Sequence, residues 1–322
     1  MANRSFLIDT DTASDDAVAL LLAVQDPSVE IAAVTVVAGN VPIDAAVRNA
    51  IVTLDICGSP ETPVYVGQAG PLRRPLETAQ DVHGEDGMGG ARLPEPSRAP
   101  NEGDAVAVIR RLANDEPGRH TLVTLGPLTN IARALDAEPD LLTRFEHTYM
   151  MAGSPDGVGN VNVAGEYNVW ADPEAATAVL AADGRKTMIG WNISRLFAVI
   201  TEAENEALRD VGPLGDFVAS INADVLTFCA AVTGLNGYDL PDPIAMAVAL
   251  DDSIVVEASE ELMAVGLDEP ARGAVLLDRR FEADEPNCRV VWAVDEAAFK
   301  RRLFDACRPA PGSTGTDLES VE

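Results

Sequence analysis

A short apolar run followed at once by a helix-forming stretch recurs along this chain, and that alternation constrains the fold more than any single residue. Residues 5–8 read as a strand and about 15–25 as a helix, then 31–37 as a strand and about 44–56 as a helix. Residues 121–125 lead as a strand into a helix near 128–135, and 148–151 and 187–189 read as further buried strands. Continuous apolar strands between helices belong to a mainly parallel sheet covered on both faces, because βαβ crossovers place helices there. The expectation is an α/β fold: one domain over residues 1–308, with an open, mainly parallel (mixed), Rossmann-like sheet flanked by helices. Residues 309–322 read as an acidic tail without fixed structure. The connection 67–103, rich in proline and glycine, is too long for a simple link, and loops of that length in compact domains are functional or disordered.

The first strand-to-helix junction carries an unusual load. "IDTDTASDDAV", residues 8–18, holds Asp9, Asp11, Asp15 and Asp16. Ser14 or Asp15 can cap the helix, and acids favour a helix N-terminus, which accounts for one or two of the four. Four carboxylates converging on one strand end repel, and a cation is the simplest remedy. Oxygen-only ligands point to Ca²⁺ or Mg²⁺ rather than zinc. In open α/β sheets ligands bind beyond the carboxyl ends of the strands, which is where this cluster falls.

The whole chain narrows the partners. It has 52 acids against 23 bases, only two of them lysines (Lys186 and Lys300), and a net charge of −29. That balance argues against nucleic acid and anionic membrane, and fits the solvated acidic surface of a salt-adapted protein. The longest apolar run, residues 17–24, is too short to cross a bilayer, and the first ten residues do not resemble a signal peptide. Cys57, Cys229, Cys288 and Cys307 form no CxxC pair and read as reduced. A cytoplasmic location is expected.

Two families compete for the acidic junction. Residues 9–13, DTDTA, begin like the DxDx[TV] motif of haloacid-dehalogenase-type phosphatases, but Ala13 takes the hydroxyl or β-branched position and lysines are scarce. The chain more fully resembles the inosine–uridine-type nucleoside hydrolases. Asp9, Asp11, Asp15, Asp16 and Ala17 fit every fixed position of a D-x-D-x-x-x-D-D-A motif. In order follow "VVAGNV" (36–41), "VHGEDGMGG" (82–90), "LGPLTNIA" (125–132), "GNVNVAGEYNVWADPEAA" (159–176) and "DPIAMAVA" (242–249). The resemblance spans about residues 5–250, and no single motif carries it.

It implies a calcium-dependent ribonucleoside hydrolase acting on a small-molecule nucleoside, working as a homodimer or homotetramer. Such hydrolysis passes through an oxocarbenium-like sugar, with water attacking as the base departs. By resemblance Asp11 is the general base that also touches Ca²⁺, while Asp16, Asp242 and the carbonyl of Leu125 complete the metal ligands. Asp15 and Asn168 resemble residues that pair the 2′-hydroxyl, Asn160 and Glu166 those at the 5′-hydroxyl, and Asn40 an amide orienting sugar or base. Taken singly, Asn40 and Asn160 stand beside glycine and read as turn residues. A calcium-dependent nucleoside or ribose binder without chemistry is the rival class, and the intact Asp11 argues against it.

Departures concern the leaving base. Family members often carry a histidine immediately before the last aspartate, where this chain has Pro241. Asn192 and Ser194 stand where an Asp-x-Thr is common, and Arg195 where a histidine is frequent. His83 resembles the histidine that faces the base in pyrimidine-preferring members, which implies a pyrimidine preference. Tyr238 is a second candidate acid, close in sequence to Asp242. His120 and His147 precede strands and lack such a setting.

Overall fold

In the computed structural model, residues 4–308 are described apart from 234, 281 and 282. The expected tail, 309–322, lies outside the described residues. Eight strands form one sheet: β1 (Arg4–Thr10), β2 (Val29–Val36), β3 (Val64–Val66), β4 (His120–Thr124), β5 (His147–Met151), β6 (Lys186–Ile189), β7 (Val255–Glu261) and β8 (Cys288–Val294). Their spatial order is β3-β2-β1-β4-β5-β6-β8-β7. All neighbours pair parallel except β8 with β7, so the sheet is mixed at one edge only. The order reverses at β1, whose neighbours are β2 on one side and β4 on the other, and adjacent crossovers diverge there to open a crevice.

Apolar residues on both faces of β1 explain its central place. Phe6, Leu7 and Ile8 are fully buried; Phe6 and Ile8 join one core cluster and Leu7 the other. The Ser14–Gln25 helix is buried nearly all round, Leu20, Leu21 and Leu22 included, and packs against the equally buried Pro241–Leu250 helix. Burying each of those leucines is worth about 1.5–3 kcal/mol. Among the described residues, no single helix is long and apolar enough to cross a membrane.

Helix capping at the junction differs from expectation. The N-cap is Ala13, and neither Ser14 nor Asp15 caps the helix. Asp16 instead accepts the Ala13 amide N–H at 2.9 Å, while the Ser14 hydroxyl turns to His83 Nδ1 at 2.9 Å. The long connection contains one helical turn, Gln80–His83, and is pinned to the fold. Asn49 donates to the carbonyls of Thr12 (3.1 Å) and Asp86 (2.8 Å), and the Ala79 amide donates to the Asn40 carbonyl (2.9 Å).

Candidate active site

At the carboxyl end of β1 the parallel register sets Asp9 beside Thr35 of β2 and Thr124 of β4. Asp9 is fully buried, and its Oδ1 accepts from Thr35 Oγ1 (2.6 Å) and Asn130 Nδ2 (2.8 Å). Two residues on, Asp11 is also fully buried. Its Oδ2 accepts the Asn40 amide at 2.6 Å, and its Oδ1 has no partner. The space around it depends on two glycines. A Cβ added at Gly126 would lie 2.6 Å from Asp11 Oδ1, and one at Gly39 would meet Asp11 Oδ2 closer still. The glycines in "VVAGNV" and "LGPLTNIA" therefore let two loops close around one carboxylate.

Asp16 accepts from Thr10 Oγ1 at 2.5 Å. One carboxylate oxygen from each of Asp15, Asp16 and Asp242 lies within 4.8 Å of the others, all three buried. The first two are fixed by the start of the Ser14–Gln25 helix and the third by the start of the Pro241–Leu250 helix, which packs against it. Like charge without solvent is costly, and the protonation equilibria record it. Burial, then the neighbouring Asp16, holds Asp11 well above the usual carboxylate range. Burial lifts Asp15 and Asp16 to about 6, and burial with the charges of Asp15, Asp16 and Asp11 lifts Asp242.

This donor set fits a hard divalent cation: all oxygen, buried, with unpartnered atoms on Asp11 and Asp15. The Leu125 carbonyl accepts from Asn168 Nδ2 at 2.6 Å, and a carbonyl has two lone pairs, so one is left for an ion.

A cavity of about 580 Å³ opens beside the cluster. Asp15, Asn40, His83 and Asn160 line it, Asn160 from an exposed position; Asp11, Asp16, Glu166, Asn168 and Asp242 are buried off its lining. Glu166 caps the Tyr167–Ala171 helix, accepting from the amides of Asn168 (2.8 Å) and Gly153 (2.6 Å), and burial lifts it to about 7. His83 sits 3.8 Å from Asp15, and burial outweighs the carboxylates around it, lowering the imidazole to about 4. Tyr238 is not at the site: it is fully buried and donates to Asn205 Oδ1 at 2.8 Å, so the second candidate acid is withdrawn.

The two lysines also stand elsewhere. Lys186 Nζ donates to the carbonyls of Val179, Leu180 and Ala182, and Lys300 pairs with Glu204 and Glu296. A phosphatase of the dehalogenase type would lack the lysine that holds its phosphoryl group. The four cysteines are free and buried.

Asn130, Thr35, Asp239 and Trp191 escaped the sequence reading. Asn130, which orders Asp9, stands inside a motif already singled out, in the first turn of the Thr129–Ala137 helix. Thr35 is one β-branched residue among several in β2. Asp239, Trp191 and Ser194 form a hydrogen-bonded group at the cavity, and the acid three positions before Asp242 was the available signal.

Comparison with known proteins agrees with this geometry. The chain is 33% identical over 299 residues to the pyrimidine-specific ribonucleoside hydrolase RihA of Salmonella paratyphi C, covering 91% of this chain and 94% of that protein. An uncharacterized Schizosaccharomyces pombe protein is 42% identical over 240 residues, 74% of this chain and 77% of that one. Among solved structures, a purine-preferring ribonucleoside hydrolase from Gardnerella vaginalis superposes with a TM-score of 0.88 at 29% identity, covering 95% of this chain and 99% of that one. A family model described as inosine-uridine preferring nucleoside hydrolase matches residues 6–301. With an acidic pocket at the sheet's reversal point and this extent of similarity, the chain belongs to the inosine-uridine preferring nucleoside hydrolase family and is a hydrolase of N-ribosyl bonds.

Proposed function

We propose that this nucleoside hydrolase is calcium-dependent and cleaves ribonucleosides to free base and ribose, with pyrimidine ribonucleosides such as uridine preferred over inosine and other purines. The observation that carries the reading is Asp11, a fully buried carboxylate with one unpartnered oxygen, in a cradle that two glycines keep open. The Asn40 amide fixes Oδ2, which leaves Oδ1 to take the proton of the attacking water. Asp11, Asp16, Asp242 and the Leu125 carbonyl would hold one Ca²⁺, which when bound supplies Lewis acidity toward that water and an anchor for the ribose hydroxyls.

Asp15 and Asn168 pair the 2′-hydroxyl. Asn168 donates its amide to the carbonyls of Leu125 and Met151, so its Oδ1 is the atom left to accept. Asn160 and Glu166 serve the 5′-hydroxyl and Asn40 orients the sugar or the base. The pyrimidine preference is supported by His83 at the cavity wall and by the similarity to a pyrimidine-specific relative. A cytoplasmic homodimer or homotetramer serving nucleoside salvage in a salty interior fits the acidic composition.

The test is free ribose released from uridine before and after chelation. Activity should vanish on chelation, return with Ca²⁺, and be absent in Asp16→Ala. Deoxyuridine should fall on the order of 10⁴-fold in kcat/KM, since the site is built to pair the missing hydroxyl. Full turnover in verified metal-free protein refutes the calcium requirement, and equal use of uridine and deoxyuridine refutes the 2′-hydroxyl assignment. Calcium-dependent nucleoside binding without ribose release would instead identify a binder.

A further inference from the structure

The short antiparallel ribbon of Val199–Ile200 with Tyr238–Asp239 brings an acid to the cavity that the acidic cluster does not use. Asp239 Oδ2 accepts from Ser194 Oγ at 2.7 Å and from Trp191 Nε1 at 3.0 Å, and these two bonds fix the plane of the carboxylate. Oδ1 receives no hydrogen bond from another described residue. Asp239 is only 9% exposed, and it lines the cavity. Burial lifts this carboxyl, while the Ser194 bond, its own backbone amide, the Trp191 bond and the nearby Arg195 favour its ionised form. Pro241, two residues on, lines the same cavity and has no donor to offer.

We infer that Asp239 is a specificity-determining residue for the nucleobase: its free Oδ1 accepts a hydrogen bond from a ring N–H, such as the N3–H of uracil, and so selects bases that carry one. This rests on the hydrolase reading proposed above. Ser194 and Trp191 occupy one oxygen of a residue that lines the cavity, which leaves the other for a ligand there. A base lacking the N–H leaves a buried carboxylate oxygen unpaired, and that asymmetry discriminates more strongly than a missing apolar contact.

The experiment compares uridine with 3-methyluridine, in which a methyl group replaces that hydrogen. Turnover and equilibrium binding are measured for the wild-type protein, Asp239→Asn and Asp239→Ala. The wild type should favour uridine on the order of 10²-fold in kcat/KM. In Asp239→Asn the side-chain oxygen can keep the Ser194 and Trp191 bonds while an amide donor faces the cavity. The preference should then collapse to within about threefold, mainly through loss of uridine rather than gain of the methylated substrate. Wild-type protein that treats both nucleosides alike overturns the inference without any variant. So does an undiminished preference in folded Asp239→Asn, which would show the methyl group excluded by shape alone. Discrimination that persists in binding while no ribose is released would support Asp239 and fail the hydrolase reading instead.

Discussion

His83 is where residue-level chemistry departs furthest from what spacing alone conveys. The imidazole is neutral at pH 7, because burial lowers it to about 4, and its Nδ1 shares a 2.9 Å hydrogen bond with Ser14. A neutral ring still offers one N–H to a departing base, and Pro241 offers none. His83→Ala should therefore lower kcat for uridine by at least about 10²-fold, the bottom of the range for general acid help. p-Nitrophenyl riboside, whose leaving group departs without a proton, should fall far less. An equal fall on both substrates would make His83 a packing or ribose-positioning residue.

The elements show which parts of the site a one-dimensional reading can reach. The β1–helix junction, the glycine turns and the Asp242 helix were legible because each carries its chemistry within a few consecutive residues. Boundaries fell within about two residues of those expected, an ordinary margin for frayed ends. The Thr35–Asp9–Asn130 group was not legible, since it exists only through the parallel register of β1 with β2 and the seating of the Thr129–Ala137 helix beside them. Strand β7 was missed for another reason: as a mostly solvent-facing edge strand with Glu257, Glu260 and Glu261, it has little apolar signal. Strand β3 is three residues long, too short for any period to show. The glycine turns carry a test at this scale. Gly126 has no left-handed backbone, so Gly126→Ala strains nothing except the space that Asp11 occupies. It should fold with a melting temperature near wild type and lose activity on the order of 10²-fold, because displacing a catalytic group by about 1 Å costs that much. Wild-type kcat in Gly126→Ala would show that the cradle is not what places Asp11.

For the molecule as a whole, charge governs the conditions in which it folds. Ion pairs do gather some acids: Arg302 bridges Asp26 and Asp251, and Arg144 bridges Glu138 and Asp140. Yet 52 acids face only 23 bases, so most of the surface repels itself. The Debye length falls to about 3 Å at 1 M salt, which screens that repulsion. Melting temperature should climb through a salt series into the molar range, and a flat profile would refute the idea. Asp16 and Asp242, far apart in the sequence, meet only because the first helix seats on the Pro241–Leu250 helix. A growing chain leaving the ribosome therefore carries only part of this acidic cluster until the Pro241–Leu250 helix has been made and has docked. A cation that binds the cluster would then favour chains in which the two helices have docked over those in which they have not, by mass action.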